Sequence, residues 1–423
     1  MSEDGSSRHS TARLAVVLVG ICFLLNVLSR GIGESFTTFL LALTAEFQAN
    51  RADVAAIYSL QMMLAGLCAP LAGYCFDRFG PLSIYVAGLL LLITGLLLAS
   101  FGEAVWHFYI FIGIGVGGAA AFLGNAPHSA LLTRWFEGGN LSRAMSVIYA
   151  AMGVGSLLMV PLAQFVIETW GWRNAYRLLA GIALLTMPAL LLVSWPTAQV
   201  GRILPSRPKP TDGNVPSDIA ETITAIEWTI GSAMRNPAFW GLSSVFFFTS
   251  AGMFSVMVQA VAYMVELGYA PLKAASIYGL VGVLTPIGIL GFSWLDVRIG
   301  RHSSAALSYA FSLLGLAALW ALKLWPSPLV LWTFVLLVGL SFGARGPLVG
   351  ATAARIFHGP RFGMIFGTMM VGSGLGISFG TFTGATLHDL TGGYTAVFLF
   401  SGVCVLLGAM PFWTYSALRR FGP

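Results

Sequence analysis

Charged side chains are scarce in this chain: Asp, Glu, Lys and Arg make up 9% of its 423 residues. Soluble domains carry roughly 25% charged residues, because a water-facing surface needs them. Hydrophobic residues reach 57% of the chain. The composition therefore excludes an ordinary soluble protein and predicts that lipid surrounds most of the molecule.

Cysteines are also few, and the motifs of common enzymes are missing. Cys22, Cys68, Cys75 and Cys404 lie in or beside apolar segments without metal-ligand spacing, so we expect four reduced thiols and no metal. The sequence has no nucleophile–base spacing, no His/Glu metal motif and no phosphate-binding loop. We therefore predict neither an enzyme nor an ATP-driven pump, and no cofactor.

The net charge of +6 does not indicate a nucleic-acid partner, because Lys and Arg are spread between apolar runs rather than gathered in a patch. With both termini placed in the cytoplasm, about three times as many Lys and Arg residues fall in inner loops as in outer loops. We predict a multi-pass protein of the cell membrane with cytoplasmic termini. Its expected partners are the lipid bilayer and a small-molecule substrate, and its expected state is a monomer.

Twelve apolar runs are long enough to cross a bilayer, which takes about 20 residues each. One long hydrophilic stretch divides them into six and six. We predict an N-terminal six-helix bundle over 1–195, a cytoplasmic linker with a short amphipathic helix over 196–236, and a C-terminal six-helix bundle over 237–423. The predicted spans are 13–40, 53–76, 82–101, 106–133, 142–168, 173–195, 237–265, 272–295, 303–324, 328–356, 361–388 and 393–418.

The two halves repeat each other at an offset of about 221 positions. The segment 134–138 aligns with 355–359, and 153–155 aligns with 374–376. The loop 73–80, which holds an Asp-Arg pair, has a counterpart at 295–301. Parallel repeats of this kind place a substrate site between the halves, near the middle of the membrane.

The loop Gly-x-x-x-Asp-Arg-x-Gly at 73–80 and its second copy resemble the signature loop of the major facilitator superfamily. The segments 235–240 and 171–176 resemble its monocarboxylate porter and oxalate–formate antiporter branch. The resemblance implies an all-α membrane protein of two pseudo-symmetric six-helix bundles that works by alternating access. It also implies a cytoplasmic latch in the two loops; the alternative is that these charges only fix loop geometry and orientation. The latch residues would be Asp77, Arg78, Asp296, Arg298 and Arg301.

Ionisable residues inside spans are costly and indicate function. In the first span, Arg30 and Glu34 stand four residues apart on one polar stripe, either as a self-neutralised pair or as part of a ligand site. In the tenth span, Arg345 has no acidic neighbour on its own helix. We expect it to be the main anion contact, with Arg30 as a second; the alternative is a bridge between Arg345 and Glu34.

Other candidates are less specific. Under the repeat, Asn125 lies opposite Arg345, and His128 could carry a proton, as Glu34 could. Gln259 and Tyr263 could donate neutral hydrogen bonds to a substrate. For each, a purely structural role is the alternative.

This chain departs from its resemblance in ways that bear on the substrate. The branch implies a lysine near the position of Glu34 and, for oxalate exchangers, cations in helices 8 and 11, which are missing here. Arg30, Glu34 and Arg345 sum to one surplus positive charge, which favours one carboxylate over two. We predict a secondary transporter of a small organic anion, a monocarboxylate, with coupling to protons. The alternatives are efflux of a larger apolar compound and a non-transporting membrane sensor or scaffold.

Overall fold

The computed structural model describes residues 3–132, 135, 138–188, 190, 228–357 and 362–414, and some side chains within these ranges are not described. All regular elements in the described ranges are helical. A π-helix spans Tyr109–Val116. The α-helices are α1 Glu3–Phe47, α2 Arg51–Leu67, α3 Ala69–Ala99, α4 Val105–Phe108, α5 Gly117–Phe122, α6 Asn125–Leu132, α7 Gly138–Trp170, α8 Trp172–Leu185, α9 Ile230–Met234, α10 Pro237–Met257, α11 Ala260–Glu266, α12 Pro271–Ile299, α13 Arg301–Ala321, α14 Pro328–Ser341, α15 Arg345–Ile356, α16 Phe362–Thr391, α17 Thr395–Ala409 and α18 Pro411–Thr414.

Within the described ranges, nine helical segments are long and apolar enough to cross a membrane. A tenth is obtained if α2 and the start of α3, bent by 42°, are counted as one span. Two further predicted spans coincide with the shorter helices α8 and α14, so the count of twelve stays a prediction. Most of the predicted linker, including its amphipathic helix, lies outside the described residues.

The exterior is apolar, as the composition predicts. Large side chains such as Leu329, Leu399 and Trp294 are more than half exposed to the surroundings. Polar residues such as Asn26, by contrast, are buried. A soluble protein rarely exposes so much contiguous apolar surface, so lipid is the expected solvent of this face.

The repeat predicted from the sequence has a counterpart in the backbone. Gly80, at a sharp kink inside α3, and Gly300, between α12 and α13, both have φ +81°. Gly171 and Gly392, which also differ by about 221 positions, both have positive φ, +82° and +64°. A side chain at such positions would strain the backbone, so glycine is needed at these turns in both halves.

Two predicted spans are broken. The seventh divides into α10 and α11 at Val258–Gln259, near its end, and the tenth divides into α14 and α15 at 342–344, near its middle. The break in the tenth lies beside Arg345, where glycine and proline favour an opening of the backbone. Pro347 has no N–H to donate to the preceding turn, and Gly343 lowers the helix propensity there, so the helix opens. Broken helices are tolerated in membranes where the backbone lines a protein interior or a cavity.

Helices from the two sequence halves pack closely against each other. The helix α7 runs along α12, and α2 runs along α16. A Cβ atom on Gly153 would lie 2.1 Å from the carbonyl oxygen of Gly282, and one on Gly374 would lie 3.1 Å from Cα of Gly66. Small residues therefore let the backbones approach, as membrane helix interfaces commonly require.

A polar cluster, the Arg51 cluster (Arg51, Glu266, Asp389 and Tyr394), joins the halves at one end of the molecule. Arg51 forms an ion pair with Glu266 and donates a hydrogen bond to Tyr394. The backbone N–H of Ala52 donates to Oδ2 of Asp389 at 2.7 Å, so a carboxylate caps the start of α2. The Arg51 cluster thus connects the start of α2 with residues of the C-terminal half.

Candidate functional site

A cavity lies between helices of the two halves, near the middle of their length. Its free volume is about 10 Å³, the space of roughly one water molecule, so the helices of the two halves pack closely around it. The cavity is lined by Glu34 of α1, Met152 and Ser156 of α7, Met257 of α10, Tyr278, Val281, Gly282 and Thr285 of α12, and Phe342.

Glu34 is the carboxylate of this cavity. It is only 4% exposed, and its Oε2 accepts a hydrogen bond from the hydroxyl of Tyr278 at 2.7 Å. The two residues stand 244 positions apart, one in each half. A single hydrogen bond in the cavity wall therefore connects α1 to α12.

Arg30 lies one helical turn before Glu34; it does not itself line the cavity, but it contacts Met152, which does. Its Nη2 donates to the sulfur of Met152 at 3.3 Å, and a thioether is a weak acceptor. Its Nε is buried and has no hydrogen-bond partner. Arg30 forms no ion pair with Glu34 among the described side chains, although its charge acts on that carboxylate electrostatically. The guanidinium thus has unused donors.

Tyr58 of α2 lies close to this polar group. Its side chain is fully buried, and its hydroxyl has no hydrogen-bond partner. The charges of Glu34 and Arg30 both act on it. In the sequence, only their position in the middle of a span could have indicated Tyr58 and Tyr278 as site residues. That signal is weak, because tyrosines inside spans more often donate a hydrogen bond to a nearby carbonyl.

Arg345 is placed differently from the expectation. It is 4% exposed and turns toward α13, where Nε donates to Ser308 Oγ at 3.3 Å and Nη2 donates to the Ser308 carbonyl at 2.9 Å. Nη2 also donates to Ser312, and the guanidinium stacks over Tyr309, 4.3 Å from the ring centroid. Its Nη1 is buried without a partner. The alternative bridge to Glu34 is not formed in this structure.

His128 lies inside the N-terminal half, in a string of polar groups. Its Nδ1 is 2.9 Å from the hydroxyl of Tyr85, which is 3.9 Å from the sulfur of Cys22. His128 does not line the cavity that holds Glu34. The structure therefore does not bring the two candidate proton carriers together.

The C-terminal half repeats this pattern with other residues. There Arg345 stacks over Tyr309, whose hydroxyl lies 3.0 Å from Thr249 Oγ1. In each half, a charged or titratable residue in the fourth predicted span contacts a tyrosine in the third predicted span. The hydroxyl of that tyrosine lies close to a side chain of the first predicted span. This placement suits a structural role for Arg345 as well as for His128.

The neutral candidates also have local partners. Gln259, at the break between α10 and α11, donates from Nε2 to the Ser255 carbonyl at 3.2 Å. The hydroxyl of Tyr263 donates to the carbonyl of Trp320 at 3.1 Å. Neither residue lines the cavity. Asn125 begins α6, but its side chain lies outside the described part of the structure.

The loop charges predicted to form a latch are only partly described. Arg78 is exposed and donates to the hydroxyl of Tyr74 at 3.0 Å. Arg298 is exposed and stacks over Trp294 at 5.0 Å, while Asp296 is half-buried. The side chains of Asp77 and Arg301 lie outside the described part of the structure. The latch stays a prediction.

The family follows from a match along most of the chain. The model of the Major Facilitator Superfamily matches residues 19–357. The chain belongs to this superfamily. The resemblance stated from the signature loops is therefore confirmed, and the protein is a multi-pass membrane transporter rather than an enzyme.

Curated relatives are similar over nearly the full length. Monocarboxylate transporter 13 of Bos taurus is 26% identical over 390 residues, which cover 92% of this chain and 86% of that protein. Monocarboxylate transporter 12 of Homo sapiens is 24% identical, with 93% and 79% covered. Monocarboxylate transporter 4 of Gallus gallus is 24% identical, with 93% and 80% covered. This chain is thus a superfamily transporter related to monocarboxylate transporters.

Proposed function

We propose that this protein is a secondary active transporter that moves a small monocarboxylate together with a proton. The observation that carries the proposal is Arg30, whose only described hydrogen-bond acceptor is the thioether of Met152, a residue that lines the cavity. A guanidinium in a low-dielectric interior is stabilised by an anion, and a carboxylate matches its planar fork. The names of the curated relatives support the same substrate class.

The charges around the cavity support one carboxylate and one proton. With Glu34 ionised, it balances Arg30, and the group has no net charge. With Glu34 protonated, one positive charge remains, which a single carboxylate neutralises. A protonated Glu34 thus favours binding of a monocarboxylate, whereas a dicarboxylate would leave an excess negative charge. His128 is less suited to coupling, since it lies away from this cavity.

The lining of the cavity supports a small organic anion over the larger apolar compound that is the alternative, because Glu34, Ser156, Tyr278 and Thr285 give it polar groups beside its apolar ones. The apolar wall formed by Met152, Met257, Val281 and Phe342 suits a short hydrocarbon tail. The carboxylate would face Arg30 and the tail would face these side chains.

The sequence analysis made Arg345 the main anion contact and Arg30 a second one; the surroundings of the two residues favour the opposite order. Arg345 has acceptors and a ring on α13, and it does not line the cavity. Arg30 has weak partners and contacts a cavity residue. We therefore propose Arg30 as the anion contact and Arg345 as a group that holds α15 to α13.

Alternating access would arise from rocking of two six-helix halves. Glycines bring α7 close to α12 and α2 close to α16. Because glycine has no side chain to interlock, these helix pairs would shift against each other during the rocking. The Arg51 cluster would close the outer end of the transporter in the cell membrane, and both termini would lie in the cytoplasm.

Cysteines introduced at Glu103 and Ser206 should react with an impermeant thiol reagent from opposite sides. Reaction of both in sealed cells would contradict this orientation.

Transport by proteoliposomes tests the proposed function. The purified chain should take up labelled L-lactate or pyruvate when the outside is acidic, and the lumen should acidify with the uptake. Protein-free liposomes measure passive entry of the acids. Uptake no faster than this background for either probe, across a pH gradient, would overturn the proposal.

A further inference from the structure

The hydroxyl of Tyr278 is a donor that the proposed function has not yet used. It lines the cavity, and it has one proton to donate, which goes to Glu34 at 2.7 Å. Among the described side chains, the charge of Arg30 acts on Glu34 and Tyr58, and Ser156 and Thr285 line the same cavity. A substrate carboxylate beside Arg30 would lie near the hydroxyl of Tyr278.

We infer that Tyr278 binds the substrate's carboxylate, and that ionised Glu34 occupies this donor when the transporter is empty. Glu34 and the substrate carry the same functional group, and each is stabilised by the charge of Arg30 and a hydrogen bond from Tyr278. Since the hydroxyl donates only once, the two carboxylates compete for it.

Protonation of Glu34 decides the competition. A hydrogen bond to an ionised acceptor is roughly twice as strong as one between neutral groups, so the link weakens when Glu34 takes up a proton from solution. Tyr278 keeps its own proton and can turn its hydroxyl to the substrate's carboxylate. The proton and the anion then enter the site together.

This arrangement gives the substrate a contact in each half of the protein. Arg30 belongs to α1 and Tyr278 to α12, so a bound carboxylate replaces the hydrogen bond that Glu34 makes between these helices. The inference rests on the proposed function, because it concerns the same cavity and substrate class. The inference goes beyond the proposed function because it assigns a substrate-binding residue to the C-terminal half.

A double-mutant cycle tests the inference. Binding of L-lactate to the full-length chain is measured by calorimetry in the unaltered protein, Tyr278→Phe, Glu34→Gln and the double variant. Glu34→Gln removes the competing carboxylate. In that background Tyr278→Phe should still weaken lactate binding by about tenfold or more, since a donor to the charged substrate is lost.

If Tyr278 acts only through Glu34, adding Tyr278→Phe to Glu34→Gln will leave the Kd unchanged, and the inference is overturned. Tyr176→Phe is the matched control: it removes a buried, unpartnered hydroxyl that does not line this cavity, and it should not alter the Kd. Tyr278→Phe keeps its ring, and thermal unfolding verifies that each variant is folded. Absence of lactate and pyruvate binding in the unaltered protein would overturn the proposed function itself, and the inference with it.

Discussion

Arg30 and Arg345 are both arginines inside spans, yet their surroundings differ in one decisive respect. Arg345 donates to a carbonyl and two hydroxyls of α13 and stacks over Tyr309. Among the described residues, Arg30 donates only to a sulfur. Each guanidinium also leaves one nitrogen buried without a partner, Nε in Arg30 and Nη1 in Arg345. Burial alone therefore does not identify a ligand site. A charge with few acceptors of its own, such as the half-buried Arg30, indicates one more clearly.

The largest effect is expected at Arg30. Arg30→Gln should weaken L-lactate binding about 10- to 100-fold, because a charge-assisted contact of roughly 1.5–3 kcal/mol is lost. The unfolding temperature should change little, since the group has few internal hydrogen bonds to lose. Calorimetry and thermal unfolding of the same sample measure both quantities. Arg30→Lys should restore binding poorly, as an ammonium lacks the planar fork.

The reverse is expected at Arg345. Arg345→Gln should lower the free energy of unfolding by about 1–3 kcal/mol, because it leaves Ser308 and Ser312 without their charged donor. Lactate affinity should change much less than in Arg30→Gln. If instead stability is kept and binding is lost, Arg345 is the anion contact. If adding Glu34→Gln restores stability, the two residues form a bridge in another state.

A third prediction concerns pH. Lactate binding to the unaltered protein should weaken as pH rises, because ionised Glu34 then neutralises Arg30 and occupies Tyr278. Glu34→Gln should bind about tenfold more tightly at neutral pH, because a competing charge-assisted hydrogen bond is removed, and the pH dependence should disappear. Titrations across a pH series measure this. A pH dependence that survives in Glu34→Gln but is lost in His128→Gln would assign the proton to His128.

The smallest effect is expected at Arg51, a third arginine, which lies in an ion pair at one end of the molecule. Its partner Glu266 is 43% exposed, so the ion pair contributes about 0.2–1 kcal/mol. Arg51→Gln should raise, by a few-fold, the fraction of molecules in which the cavity is open to the outside at this end. The rate at which an external impermeant reagent labels a cysteine at Met257, in the cavity, measures this opening. An unchanged rate would mean that the cluster does not hold this end closed.

Much of the fold could be predicted from local sequence. Ten of the twelve spans that hydropathy predicted have a long apolar counterpart in the described residues, when α2 and the start of α3 are counted as one. The repeat offset of about 221 positions also matches the spacing between Gly80 and Gly300 and between Gly171 and Gly392, which share a positive φ. The four-residue spacing also placed Arg30 and Glu34 on one face of α1. These features depend on composition and helical periodicity, which a single segment contains.

The partners of these residues could not be predicted in the same way. The hydrogen bond between Glu34 and Tyr278 joins positions 244 residues apart, and the orientation of Arg345 toward α13 depends on the rotation of a broken helix. Neither follows from the pattern of one helix. The sequence therefore indicated which charges were unusual, but the packing of the helices decides which of them already have acceptors.

A cryo-EM structure of the protein with L-lactate at acidic pH tests the central claim most directly. The account predicts carboxylate density within about 2.7–2.9 Å of the guanidinium of Arg30. It also predicts that the Tyr278 hydroxyl has moved from Glu34 to the ligand. Density for the carboxylate on Arg345, with the bond between Glu34 and Tyr278 intact, would contradict the account.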